Sequence, residues 1–238
     1  SRQGIDLRSD TQYGKRAWDS YWSLRNGDGE MCWGPDPYLT PLGIDQANRV
    51  HTAWVDATNV PTDAPPLPTK LLSSPFTRAL DTLYITWRGI LLRDVGTGRA
   101  RPSPGGCDPQ THAPRQQVHV MELLRETIGE HTCDKRSPMA EIVRRFPLAQ
   151  QEGEPAPLLF DQHFTEEDCM WQPDQRETDD TMRARIHAGL EQVWSMCPDS
   201  QVLSITCHSG VIQRVLEITQ HVKVDVAVGG RSESYRSS

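Results

Sequence analysis

Residues 201–216 read QVLSITCHSGVIQRVL, and the fold is read outward from them. Their first part, 202–206, is a short apolar run rich in β-branched residues, the kind of strand expected inside a parallel sheet covered on both faces. From Val211 the apolar residues fall at Val211, Ile212, Val215, Leu216 and Ile218, which is helical spacing. Between the two stands Cys207-His208-Ser209-Gly210. A strand therefore ends, a histidine follows at its carboxyl end, and Ser-Gly turns the chain into a helix. Open α/β sheets gather ligands at the carboxyl ends of their strands, and the first turn of a helix offers unpaired N–H groups to an anion. The position makes His208 a candidate for chemistry as well as for a structural hydrogen bond.

The same layout occurs upstream. Residues 70–87 read KLLSSPFTRALDTLYITW, where Leu71 and Leu72 predict a short strand, Ser73-Ser74-Pro75 a turn and Thr77 the start of a helix. Arg78 falls in the first helical turn, where a cation is badly placed against the helix dipole, so another use for it is expected. In 118–136, VHVMELLRETIGEHTCDKR, Val118, Val120 and Leu123 predict a strand running to the same edge. Thr40 and Pro41 are a good N-cap and first helical residue for the helix that follows, with Ile44, Ala47, Val50 and Trp54 on one face. Trp18, Tyr21, Trp22 and Leu24 predict a short amphipathic helix that covers a core edge. Residues 140–146 form another short helix, 150–173 an acidic loop, and 178–196 a helix with Met182, Ile186, Leu190 and Val193 on one face.

Composition bounds the function. The 238 residues suit one domain spanning 1–238, with a flexible loop expected at 95–117, rich in Pro, Gly and Arg, whose Arg99, Arg101 and Arg115 either close over an anion or form a surface excursion. A net charge of −7 argues against a nucleic-acid partner but allows a local cationic pocket. The six cysteines are scattered, with no Cys-x-x-Cys and no Cys/His group at zinc spacing, which points to reduced thiols, a cytoplasmic protein and no metal. No signal peptide and no long apolar run indicates a membrane partner.

Arg2-Gln3-Gly4, Ser74-Pro75-Phe76-Thr77-Arg78-Ala79, Leu124-Arg125-Glu126 and His208-Ser209-Gly210 resemble, in order and spacing, the motifs of the histidine phosphatase (phosphoglycerate mutase-like) superfamily. Those motifs are Arg-His-Gly, Ser-x-x-x-Arg-Ala, Leu-x-Glu and a late His-Ser/Gly-Gly. The resemblance covers nearly the whole chain and points to the fungal and yeast branch of mutase-like phosphatases. It implies a three-layer α/β/α sandwich with a mainly parallel sheet. It also implies that Arg2, Arg78 and His208 converge in a small cationic bowl, with Arg8 and Ser209 as further substrate-binding candidates. Glu126 matches the proton donor, with Glu122 a weaker candidate, and Lys135 and Arg136 either reach substrate or lie on a solvated surface. No cofactor is implied, and the partner is a small, anionic molecule. The family's apolar strand ahead of Arg-His-Gly has no counterpart before Arg2, and its last strand, after Val222, is weak or lost.

One departure bears on activity. Gln3 stands where the family has its nucleophilic histidine, and an amide cannot carry a phosphoryl group. Relatives read Arg-His-Gly-x-Gly-x-His-Asn; here Asp6, Arg8 and Ser9 also differ, which favours natural divergence over a single engineered change. Asp6 would repel phosphate. Three readings stay open. The chain is an impaired phosphatase of a small phosphomonoester, a repurposed biosynthetic isomerase, lyase or cyclase that uses His208 and Glu126 as acid and base, or a non-catalytic anion binder.

Overall fold

Leu71 and Leu72 are adjacent, both fully buried, and belong to different hydrophobic cores. Neighbouring side chains on a strand point to opposite faces, so the sheet that holds them is covered on both sides. The computed structural model describes residues 13–59, 65–94, 116–146, 148, 156–198 and 202–222. Its strands are β1 (Lys70–Ser73), β2 (Val118–Val120), β3 (Leu158–Phe160) and β4 (Leu203–Thr206). They lie in the order β3-β2-β1-β4, and every pair is parallel. Among the described residues the helices are α1 (Lys15–Ser20), α2 (Pro41–Thr58), α3 (Thr77–Trp87), α4 (Met139–Arg145), α5 (Asp179–Met196) and α6 (Ser209–Ile218).

One core joins Leu71, Val118, Val120 and Leu158 of the sheet to Leu80, Leu83, Tyr84 and Trp87 of α3 and to Ile142 of α4. The other joins Leu72, Leu203 and Ile205 to Met182, Ile186 and Val193 of α5 and to Val211 of α6. The result is the expected three-layer α/β/α arrangement with a parallel sheet. From α3, Ile85 packs with Ala47 and Ile44 of α2. The start of α2 follows its sequence: the Thr40 hydroxyl accepts the Gly43 N–H at 3.1 Å and Pro41 opens the helix. Upstream, the aromatic stretch forms α1 and a 3-10 turn at Trp22–Leu24, where Tyr13 stacks on Trp22 with ring centroids 4.3 Å apart.

Three expectations change. Leu123 is not in β2; the strand ends at Val120, and Leu123 lies in a 3-10 turn spanning Glu122–Leu124. The acidic stretch 150–173 is not all loop, because Leu158–Phe160 pairs with β2 as a strand. Strand β4 is half-buried along its length rather than sealed on both faces. Its residues alternate, so Leu203 and Ile205 enter the core, while the Ser204 hydroxyl on the other face accepts the Trp87 indole N–H at 3.1 Å.

Arg2, Gln3, Arg8, loop residues 95–115 and the stretch after Val222 lie outside the described residues. No helix among the described residues is long and apolar enough to cross a membrane.

Candidate functional site

Strands β2, β1 and β4 deliver their carboxyl ends to one edge. The ladder continues one step beyond each strand: Met121 N–H donates to Ser73 O at 2.9 Å, and Ser74 N–H to Thr206 O at 3.0 Å. Ser74 and His208 therefore emerge side by side. His208 caps α6 in extended conformation, and its carbonyl accepts the Ile212 N–H at 2.9 Å. Its Nε2 lies 2.8 Å from Ser74 Oγ, and its ring stands edge-on to Phe76 with centroids 5.2 Å apart. Ser74 is fully buried, and its hydroxyl holds the imidazole in place.

Glu126 reaches the same edge from the segment after the Glu122–Leu124 turn. Its Oε2 accepts the Gly210 N–H at 3.3 Å, and its Oε1 accepts the Thr127 N–H at 3.2 Å. Gly210 is the second residue of α6, so the carboxylate takes up one of the orphan donors of a helix N-terminus, where negative charge is favoured. His208, the N-cap, and Gly210, which binds the carboxylate, thus stand on either side of Ser209 at the start of α6. The structure brings His208, Ser209 and the Glu126 carboxylate to the same N-terminal helix turn.

Arg78 lies beside the same aromatic ring as His208 and bonds to the segment at Cys133 and Asp134. Its guanidinium lies 4.3 Å from the Phe76 ring centroid, so it and His208 touch the same ring. Its Nη1 donates to Cys133 O at 2.8 Å and its Nη2 to Asp134 Oδ1 at 3.2 Å. Asp134 also holds Arg176 at 3.1 Å. Beside this pair, Arg125 grips Asp168 with two bonds of 2.8 and 2.7 Å. Burial alone would raise the Asp168 carboxyl, but those bonds and the Arg125 charge outweigh it and hold the group below the usual carboxylate range. Glu122 is engaged by Arg125 at 3.2 Å and by Arg136 at 2.6 Å, which makes it a structural anion. Arg136 is fully buried and also donates to the carbonyls of Ser137, Thr165, Glu166 and Glu167. Its side chain is sealed from solvent. Lys135 is exposed, with its ammonium 5.0 Å from the Trp171 ring centroid.

His131, Cys133 and Asp134, neighbours in sequence, bring ligand-type atoms within 4.8 Å of one another. Their surroundings oppose a cation. Arg78 and Arg176 occupy the Asp134 oxygens, and burial pushes the Cys133 thiol far up, away from the thiolate a metal needs.

Sequence reasoning missed two residues that shape the site. Gly210 reads as a turn and motif residue, but its contact does not show in the sequence: a Cβ there would overlap Glu126 Oε1. Arg185 is buried on the inner face of α5. Its signal was available: it lies three residues after Met182, within the apolar stripe, where a charge requires a partner.

This is an α/β protein that sets a histidine and a carboxylate at the carboxyl edge of a parallel sheet. No family model matches the chain. It is 34% identical over 221 residues to the probable phosphoglycerate mutase PMU1 of Saccharomyces cerevisiae, covering 92% of this chain and 70% of that protein. It is 32% identical over 227 residues to a probable phosphoglycerate mutase of Arthroderma benhamiae, covering 95% of this chain and 58% of the relative. Phosphomutase-like protein 3 of Candida albicans is 27% identical over 228 residues, with 96% of this chain and 60% of that protein covered. Among solved structures, mycobacterial glucosyl-3-phosphoglycerate phosphatase aligns with a TM-score of 0.41 and 18% identity, over 82% of this chain and 74% of that one. The chain belongs to the phosphoglycerate mutase-like family of the histidine phosphatase superfamily.

Proposed function

We propose that this chain is a histidine phosphatase-type protein whose pocket takes a small phosphorylated metabolite, and that Gln3 removes the step through a phosphohistidine. The observation that carries the reading is the meeting of His208 and Glu126 at the first turn of α6, with His208 held by Ser74. The names of its relatives support the substrate class. In the working reaction a nucleophilic histidine attacks phosphorus while a carboxylic acid gives its proton to the departing alkoxide oxygen; water then releases the phosphoryl group. Glu126 is the proton donor in this reading. His208, Ser209, Arg2 and Arg8 steady the phosphoryl oxygens as charge builds on them. Gln3 supplies hydrogen bonds but no lone pair able to form the intermediate.

The test is a phosphatase assay on p-nitrophenyl phosphate with this chain and with Gln3→His. The revertant is expected to gain roughly 100-fold or more, as expected for restoring a covalent nucleophile. Silence of both proteins, each folded, overturns the proposal. One observation favours a second reading, that of an enzyme redirected to a carbon skeleton. Arg78 is committed to Asp134 and the Gly210 N–H to Glu126, so two donors suited to phosphate are taken up internally. That reading predicts no binding of inorganic phosphate by calorimetry in either protein.

A further inference from the structure

The segment that carries Glu126 has little regular structure of its own. After the Glu122–Leu124 turn the chain is extended at Arg125 (φ −67°, ψ 156°), and the carbonyls along it need partners from elsewhere. One guanidinium supplies them. Arg185 of α5 donates through Nη1 to Leu123 O at 2.8 Å and to Arg125 O at 2.9 Å, and through Nη2 to Glu126 O at 3.3 Å. Its other edge forks onto Glu177, with Nε to Oε1 and Nη2 to Oε2 both at 2.7 Å. Glu177 closes the clamp from the far side: its Oε2 accepts the Ile128 N–H at 3.1 Å, and its own N–H donates to Ile128 O at 2.9 Å. Residues 123–128 are thus bracketed at both ends, with Glu126 between. Gly189, one helical turn after Arg185, lets α5 approach, since a Cβ there would lie 3.1 Å from Leu123 Cβ.

We infer that Arg185, braced by Glu177, is the positioning residue that sets the Glu126 carboxylate against the start of α6. A lysine in its place offers a point charge without the planar fork, and a glutamine offers neither the charge nor the reach. The catalytic consequence rests on the reading of Glu126 as proton donor; the placement of its carboxylate does not.

The experiment follows the Gly210 amide by 15N–1H NMR through a pH titration, because that N–H reports ionisation of the carboxylate it touches. It compares the unaltered chain, Arg185→Lys, Arg185→Gln and Glu177→Gln, each checked for cooperative unfolding. The unaltered chain is expected to show a carboxylate titration at Gly210. Arg185→Gln is expected to lose at least half of its amplitude, and Arg185→Lys to recover part of it. The same curve in Arg185→Gln as in the unaltered chain overturns the inference. So does a flat curve in the unaltered chain. Should Arg185→Gln fail to fold, Glu177→Gln decides: a reduced amplitude supports the clamp and an unchanged one refutes it. A separate arm tests the underlying reading. If Glu126→Gln retains full phosphatase activity in the Gln3→His background while the Gly210 curves respond as expected, Glu126 is not the acid and the positioning role stands.

Discussion

A Cβ on Gly210 would overlap Glu126 Oε1 and lie 3.2 Å from Met182 Cε, so the side chain missing there is what admits the carboxylate to the second N–H of α6. The atoms in the way are the ends of side chains, and both can rotate aside. Gly210→Ala is therefore expected to fold with stability changed by less than about 1 kcal/mol, because the helix-propensity gain of alanine offsets the displaced contacts. Its effect falls on Glu126, which loses its helix partner. In the Gln3→His background kcat is expected to fall about tenfold, short of the roughly 100-fold or more that complete loss of general acid catalysis would cost, because the carboxyl is displaced and not removed, with KM little changed. Stopped assays with urea melts on both proteins check this, and an unchanged kcat would show that the Gly210 contact is idle. At this scale the residue types of the site were legible and their partners were not. His208 and Glu126 could be picked from their motifs. Arg78 could be picked too, but its bond to Asp134 spans 56 residues, and nothing local announces it. The buried aspartate competes for the guanidinium that the motif assigns to phosphate.

Helix α5 carries both Arg185 and much of the second core, so its start matters to the site as well as to the fold. Thr178 accepts the Thr181 N–H at 3.3 Å, while the Thr181 hydroxyl accepts the Thr178 N–H at 2.9 Å, a reciprocal capping box. Asp179 and Asp180 add negative charge to the first turn. Thr178→Ala is expected to cost about 1 kcal/mol, read as a lower urea midpoint with an unchanged slope. A change below a few tenths would mean that water replaces the cap. Elements with a full period and a cap, such as α2 and α5, could be read from the sequence because several apolar residues and one polar stop agreed. Strand β3 could not. It has only three residues, Leu158, Leu159 and Phe160, and its place comes from the parallel register with β2. Leu123 misled for a related reason. Its apolar side chain follows closely on Val118 and Val120 but is out of phase with their two-residue alternation; after Val120 the backbone turns to present Glu126, and Arg185 bonds the Leu123 carbonyl.

Across the whole molecule, buried ionisable groups give stability a predictable dependence on pH. His51, His119 and His131 all have pKa values lowered from 6.5, with burial the largest cause. Arg88 adds to the effect at His51 against the opposing Thr86 carbonyl, Lys70 adds to it at His119, and Arg176 adds to it at His131. A histidine depressed in the folded state binds its proton more readily when unfolded, so its contribution is present above about pH 6.5 and lost as pH falls through the folded value. Asp161 acts in the opposite sense. Burial raises its pKa above 3.8 against the bonds from the Glu122 N–H and Gln192, so acidification within its window returns some stability. Asp168, held low by Arg125 against its own burial, contributes until pH drops below its unfolded value near 3.8 and through its folded one. The expected profile has two steps. The urea midpoint declines below about pH 6.5 as the histidines protonate, levels where Asp161 compensates, and declines again below about pH 4 as the Asp168–Arg125 pair is lost. His119→Gln should shrink the first step and leave the second in place. A midpoint that rises between pH 7 and about pH 5.5 would contradict the histidine assignment, because only groups with raised folded pKa values stabilise on acidification in that window.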